Sequence, residues 1–151
     1  MWTAEPKHWF SWDFVIRDTT REPVAEVRLS SWRECGAIEI AGVEHKVSRR
    51  GMLGAFVVET GDSVVASAEK PSAFRGTFQI EYEAQHYTLR KESMWLRELV
   101  LYEGEREIGS IAPTGPFTRR ARVGLPENLP LILRLFVIWL TMLLWKRDSD
   151  S

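Results

Sequence analysis

Two clusters of arginine are the side chains in this sequence with the clearest capacity to bind a charged ligand. Arg119, Arg120 and Arg122 lie in a predicted loop just before a hydrophobic segment, and Arg49 with Arg50 precede a predicted turn. Guanidinium groups donate paired hydrogen bonds to phosphate oxygens, so both clusters are candidate sites for phosphate or lipid headgroups. The alternative is that these arginines are solvated or paired with the chain's many glutamates.

Other residue types that carry chemistry do not form a recognisable site. His8, His45 and His86 are widely separated, and no HExxH spacing or cysteine pair accompanies them, so we expect no metal site. Ser63 has no GxSxG elbow around it, and glycines occur singly rather than in a phosphate-cradling GxGxxG or GxxxxGK loop. We therefore expect no cofactor and no enzymatic activity.

Composition indicates one soluble domain without a strong overall charge. The 151 residues contain 20 Lys plus Arg against 21 Asp plus Glu, so no global field attracts nucleic acid, and we expect no nucleic-acid partner. Cys35 is the only cysteine, and charged residues interrupt the N-terminal stretch where a secretory signal needs an apolar run. We expect a cytoplasmic protein, either free or peripheral to a membrane.

From about residue 8 to residue 112 the sequence predicts short strands separated by turns. Apolar and polar residues alternate, as in half-buried strands, and segments such as DTTREP, GMLG, TGDS, RGT and EGERE predict the turns. No strand-helix alternation favours a parallel sheet, so the expectation is an antiparallel meander within a single domain over residues 1–151. The alternating residues are Phe10, Trp12, Phe14 and Ile16; Ala25, Val27 and Leu29; Ile38 and Ile40; Phe78, Ile80 and Tyr82; and Leu96, Val100 and Tyr102.

A hydrophobic helix is predicted at about residues 127–146, followed by a frayed tail at 148–151. Within it, LILRLFVIWLTMLLW is apolar on every face except at Arg134 and Thr141, and such a helix is surrounded by protein or by lipid. Residues 129–145 would rise about 25 Å, against about 30 Å of bilayer hydrocarbon. We favour a helix enclosed by a closed barrel, with a membrane tail anchor as the alternative. Arg134 is then expected near the barrel mouth or beside a carboxylate.

The tryptophans have two readings at this stage. Trp2, Trp9, Trp12 and Trp32 could form an interfacial belt or a base-stacking platform. Because they are not interleaved with the arginines, we expect Trp12 to pack inward and the others to cap the ends of the barrel.

The stretch GSIAPTGPFTRRARVGLPENLPLILRLFVIWLTMLLWKRD, residues 109–148, resembles the C-terminal end of the tubby C-terminal-like superfamily, which includes LURP-one-related proteins and phospholipid scramblases. The likeness is in the order of a glycine-containing strand, an arginine-bearing turn and a hydrophobic helix. It implies a mainly β fold, a closed antiparallel barrel of about twelve strands around a C-terminal helix. A shared fold does not assign an activity.

Function is therefore expected on the outside of the molecule, since a helix would fill the barrel interior. We expect a non-enzymatic binding or adaptor module whose partner is an anionic phospholipid surface, reached through the arginine clusters, or another protein. The alternative is a tail-anchored or scramblase-like membrane protein whose last helix enters lipid.

Overall fold

The part of the chain that the structure describes forms twelve antiparallel strands and one helix. The computed structural model describes residues 1–50, 54–70, 76–93, 96–116 and 118–150. Each strand pairs with its neighbours in sequence, and β1 also pairs with β12, so the sheet closes into a barrel. The strands are β1 Trp2–Pro6, β2 Asp13–Arg17, β3 Pro23–Leu29, β4 Gly36–Ile40, β5 Val43–Arg50, β6 Ala55–Thr60, β7 Ser63–Glu69, β8 Thr77–Tyr82, β9 Gln85–Lys91, β10 Leu99–Glu103, β11 Arg106–Pro113 and β12 Ala121–Gly124.

The mainly β barrel is confirmed, but the strands extend beyond the predicted range of about 8–112. The additional strands are β1 and β12, the pair that closes the barrel through Ala4 and Ala121. Both are short, and Ala4 and Ala121, the fully buried residues through which they pair, are small, so neither strand produces a strong alternation in the sequence. Arg122, predicted in a loop, lies on β12 instead.

Tight turns connect the strands at one end of the barrel. Several turn residues have a positive φ, including Gly61 at 60° and Gly104 at 63°, where the absence of a Cβ removes the steric penalty of the left-handed region. These are the turns predicted from TGDS and EGERE. Two other predicted turns lie partly outside the described residues, because residues 51–53 of GMLG and residue 75 of RGT are not among them.

The helix, α1 Leu131–Asp150, runs through the interior of the barrel, as predicted. Every residue from 135 to 145 is buried, so all faces of the helix contact protein. Two indole groups attach it to the wall: Trp139 Nε1 donates to the Arg28 carbonyl oxygen at 2.9 Å, and Trp145 Nε1 donates to that of Arg97 at 2.8 Å. A barrel of this size needs such a filler to avoid an empty lumen.

Both ends of the helix lie four residues later than predicted. The first helical hydrogen bond runs from the Arg134 amide to the Pro130 carbonyl, and the residues before Pro130 form a turn instead. Residues 148–150, which the sequence predicts to fray, are helical in the structure, and there Asp148 pairs with Lys91 and Asp150 with Lys146, each at 2.9 Å. Among the described residues, no helix combines the length and mean hydropathy needed to cross a bilayer.

Arg134 lies in the first turn of the helix at the barrel mouth, which matches its predicted position. Its Nε donates to the Leu129 carbonyl at 3.0 Å, and its guanidinium stacks 4.4 Å from the centre of the Trp2 ring. Partial burial lowers the pKa of Arg134, and the nearby Glu127 carboxylate opposes that shift. The charge is thus accommodated by a carbonyl, an aromatic face and the solvent.

Candidate functional site

Three arginines surround a single carboxylate on the outer face of the barrel. The Glu5 cluster consists of Glu5, Arg17, Arg21 and Arg120. Arg120 Nη1 lies 3.6 Å from Glu5 Oε1, Arg17 Nε lies 3.9 Å from the same oxygen, and Arg21 binds Glu5 Oε2. The Glu5 side chain is only 13% exposed, whereas those of Arg21 and Arg120 are 60% and 58% exposed.

Barrel closure creates this cluster. Ala4 faces the core, so the neighbouring Glu5 side chain points outward from β1. β12 lies on one side of β1 and delivers Arg120, which directly precedes the strand, while β2 lies on the other side and carries Arg17. Arg21 reaches in from the β2–β3 turn, where its own φ is 71°.

The electrostatics of the cluster leave an excess of positive charge. Close contact with the Arg21 guanidinium is the main cause that holds the pKa of Glu5 below its ordinary value, and the fields of Arg120 and Arg17 add to it while burial opposes it. Glu5 is therefore ionised at neutral pH. One carboxylate cannot neutralise three guanidinium groups, so the cluster remains cationic and accessible.

Arg122 extends the positive surface. Ala121 and Val123 point into the core, so Arg122 points outward, and it is exposed. On the sheet it lies opposite Thr3, which in turn lies opposite Arg17. Within the described part of the chain, Arg122 forms no ion pair. Arg17, Arg21, Arg120 and Arg122 are called the arginine face below.

Arg119, by contrast, holds the β1–β2 loop in place. Its guanidinium donates to the carbonyl oxygens of His8, Trp9 and Ser11, with 3.2 Å to His8, and lies 5.5 Å from the centre of the Trp12 ring. Partial burial lowers the pKa of Arg119. Because its donors are engaged by the loop, Arg119 is a positioning residue rather than an open anion ligand.

A cleft of about 430 Å³ lies between the β1–β2 loop and the residues preceding β12. Its volume falls within the range of pockets that accept a small ligand, roughly 300–1,000 Å³. Most of its polar lining groups are basic or hydroxylic, and Arg120 joins it to the arginine face. The lining residues are Pro6, Lys7, His8, Trp9, Thr118, Arg119 and Arg120.

Arg49 and Arg50 lie elsewhere and have carboxylate partners. Arg49 Nη1 is 2.9 Å from Glu34 Oε1, and Arg50 Nη2 is 3.1 Å from Glu59 Oε1. Three strands, β2 to β4, separate their strand β5 from β1 in the closed barrel. The structure therefore does not bring the two predicted arginine clusters together.

Glu34 links the end of the helix to the barrel wall, and its neutralisation should destabilise the fold. Arg147 Nη2 and Arg49 Nη1 approach Glu34 Oε1 at 2.7 Å and 2.9 Å. The hydrogen bond from Arg147 is the main cause that lowers the pKa of Glu34 from 4.5. Glu34→Gln should cost about 1–2 kcal/mol of unfolding free energy at pH 7, because it removes charge-assisted hydrogen bonds from a partly buried site.

The pH dependence of the unfolding free energy separates the contribution of the Glu34 charge from an effect of packing. A carboxyl with a depressed folded-state pKa stabilises the protein above its unfolded pKa, and that stability is lost as pH falls through the folded pKa. Chemical denaturation should show the difference between Glu34→Gln and wild type shrinking below about pH 4. Glu44→Gln, which alters a more exposed pair with Arg28, is the control and should cost under about 0.5 kcal/mol. Equal costs for both variants would contradict the role of Glu34.

Arg17 and Arg21 are the functional candidates that the sequence did not reveal. They lie roughly a hundred positions from Arg120 in the chain, and only the β1–β12 closure places the two groups side by side. Across the described residues, no group of three or more His, Cys, Asp or Glu side chains is arranged to hold a metal ion. No protein-family model, curated protein or solved structure matches this chain.

Proposed function

We propose that this protein is a non-enzymatic binding module that contacts anionic phospholipid surfaces, a function in keeping with its resemblance to the tubby C-terminal-like superfamily. The observation that carries the proposal is the arginine face, where Arg17, Arg21 and Arg120 share one carboxylate and Arg122 is exposed beside them. Lipid phosphates would supply the missing negative charge.

The filled interior directs binding to the outer surface. Residues 135–145 of the helix are buried against the inward side chains of the strands, so the barrel does not serve as a container for a small molecule. The arginine face and the adjoining cleft lie outside this core. A membrane surface can reach this outer site, and the cleft has room for one headgroup.

Glu5 prepares the site for a phosphate. Guanidinium groups have long, mobile stems, and ordering them costs conformational entropy on binding. The Glu5 carboxylate already holds Arg21, Arg120 and Arg17 close together in the folded protein. Binding of a phosphate therefore costs less side-chain conformational entropy. Arginine also presents a planar fork of donors, and an incoming phosphate can share the exposed donors of Arg21 and Arg120 without displacing Glu5.

Loss of two cations from the arginine face should weaken vesicle binding. Each basic residue near an anionic surface contributes about 1 kcal/mol, so Arg120→Gln with Arg122→Gln should lower affinity roughly thirtyfold. Co-sedimentation with vesicles containing phosphatidylserine or phosphoinositide measures this. Binding by the wild type should also weaken as salt is raised.

The matched control removes two cations outside the arginine face. Lys46 on β5 and Arg106 at the start of β11 are exposed and lie away from the arginine face, and Lys46→Gln with Arg106→Gln changes the net charge by the same amount. The control variant should retain most of the affinity. An equal loss in both double variants would indicate a general charge effect and would contradict the proposed site. Vesicle binding that is indifferent to anionic lipid would contradict the function.

A further inference from the structure

The β1–β2 loop holds two large aromatic side chains in solvent. Trp9 is 81% exposed and Phe10 is 82% exposed, and their ring centres are 4.7 Å apart. The loop beneath them is anchored by Arg119, which donates to the carbonyl oxygens of His8, Trp9 and Ser11. Hydrogen bonds from Arg119 thus hold the backbone that carries the two rings. Sustained exposure of so much aromatic surface to water is unfavourable.

Further exposed apolar residues lie at the same end of the barrel. Trp32, in the β3–β4 connection, is 93% exposed, and Leu96, in the β9–β10 connection, is 64% exposed. Neither Trp9 nor Trp32 covers the barrel end, contrary to the sequence-based expectation, whereas Trp12 packs on the core as predicted.

A series of contacts shows that these connections share one end. Arg97 donates to the Thr118 carbonyl and Trp145 to the Arg97 carbonyl, which joins the β9–β10 and β11–β12 connections to the end of the helix. Glu34 pairs with Arg147, which places the β3–β4 connection at the same end of the helix. Arg119, in the β11–β12 connection, binds the β1–β2 loop and places that loop there as well. This is the helix C-terminal end of the barrel.

Basic residues lie near the exposed apolar residues. Arg33 follows Trp32 and is itself exposed, whereas Arg119 and Arg97 donate to backbone carbonyls and hold their loops in place. The arginine face adjoins the same end through Arg120, which lines the cleft beside Trp9. Aromatic and aliphatic side chains next to basic ones are complementary to the boundary of an anionic bilayer, where acyl chains lie just beneath phosphate groups.

From these observations we infer that the helix C-terminal end is a membrane-docking surface, and that Trp9, Phe10 and Trp32 insert into the interfacial layer of an anionic bilayer. The inference rests on the proposed function and specifies its orientation and its apolar component. These exposed apolar residues, referred to as the tips, lie on separate connections rather than in one continuous patch. A fluid lipid interface accommodates separate side chains one by one, whereas a protein partner would need a surface shaped to all of them.

Replacement of the paired rings tests the insertion. Trp9→Ala with Phe10→Ala should weaken binding to mixed phosphatidylcholine and phosphatidylserine vesicles by at least about tenfold, because the loss of two inserted rings removes the apolar component. The effect should be largest at high salt, where the electrostatic component is screened. Both residues are highly exposed, so the thermal midpoint should be unchanged. Vesicle flotation at low and high salt provides the measurement.

Two controls separate insertion from charge. Val43 and Val64 are exposed at the opposite end of the barrel, and Val43→Thr with Val64→Thr should leave vesicle binding unchanged. Arg119→Lys keeps the net charge but cannot reproduce the fork that holds the loop, so it should weaken vesicle binding while the net charge stays constant. A soluble anion, inositol hexakisphosphate, reports on the arginine face and the adjoining cleft, and it should bind a Phe10→Ala, Trp32→Ala variant as it binds the wild type, because neither residue lines the cleft.

The outcomes for docking and for the arginine face are distinct. Unchanged vesicle affinity in the Trp9→Ala, Phe10→Ala variant would overturn the insertion while leaving the proposed anion binding in place. Self-association of the wild type that this variant abolishes, without any effect on vesicles, would assign the tips to a second copy of the chain and also overturn it. A wild type that binds no vesicles at all would overturn both proposals.

Discussion

Removal of residues 131–151 is expected to abolish folding. The helix buries twelve residues in the barrel, and full burial of each large apolar side chain contributes about 1.5–3 kcal/mol. The loss therefore exceeds the typical total stability of a domain, about 5–15 kcal/mol. It would also expose the inward side chains of the strands, such as Phe14, Phe56 and Phe78. Circular dichroism and the dispersion of amide resonances would report the loss of the folded sheet.

A shorter truncation provides the control. Removal of residues 148–151 deletes the Lys91 and Lys146 ion pairs at the exposed end of the helix but leaves the buried residues in place. The protein should then fold with a loss of about 1 kcal/mol or less, since exposed pairs contribute little. A folded, dispersed barrel after removal of residues 131–151 would show that the helix is not part of the core.

Gly36→Ala is expected to destabilise the protein by at least about 3 kcal/mol, because the strand backbone leaves no room for a side chain. A Cβ at this position would lie 1.9 Å from the Arg28 carbonyl oxygen and 2.9 Å from Trp139 Nε1. The same carbonyl accepts the Trp139 indole hydrogen bond. Relief of the clash therefore requires movement of the β3–β4 pairing and of the helix anchor together. Urea unfolding would measure the change.

Gly42→Ala isolates the backbone contribution. Gly42 lies in a tight turn with φ of 79°, and no atom lies within 4 Å of the position a Cβ would take. The alanine should cost only about 1–2 kcal/mol, the ordinary penalty of the left-handed region. If Gly36→Ala and Gly42→Ala cost the same, the close contact at Gly36 would not be the cause. Addition of Trp139→Phe should not rescue Gly36→Ala, because the Arg28 carbonyl clash remains.

Periodicity predicted the inward face of β2 correctly but extended the strand too far. Phe14 and Ile16 are fully buried, as expected, whereas Phe10 is 82% exposed. The alternation continues in the sequence from Phe10 to Ile16, but the strand begins at Asp13. The preceding loop is attached to Arg119, a residue more than a hundred positions away. A local pattern carries no information about such a contact.

β10 shows a second way in which alternation fails. The expected face contained Leu96, Val100 and Tyr102, but Leu99 and Leu101 are the fully buried side chains of this strand. Because Leu99, Val100 and Leu101 are all apolar, the pattern does not distinguish the two faces. Barrel register decides the orientation instead. The helix had no such ambiguity, since it is apolar on every side and its enclosure was predictable from that property.

The candidate site was only partly predictable for a related reason. Arg120 and Arg122 stand out in the sequence as members of a cluster, and the glycine and proline residues before them mark a chain reversal. Arg17 and Arg21 appear isolated among ordinary strand and turn residues. Their relation to Arg120 depends on the register Ala4 to Ala121 and Thr3 to Arg17, which two separate strand pairings define.

The pairing of β1 with β12 also constrains how this protein is made. The ribosome releases β1 first and α1 after all twelve strands, so neither the closing pair nor the filler is present while most of the sheet emerges. Nascent strands would expose open edges and apolar inner faces throughout this period. We expect barrel closure to be late and comparatively slow, with a strong dependence on chaperones that shield β-rich chains until α1 has emerged.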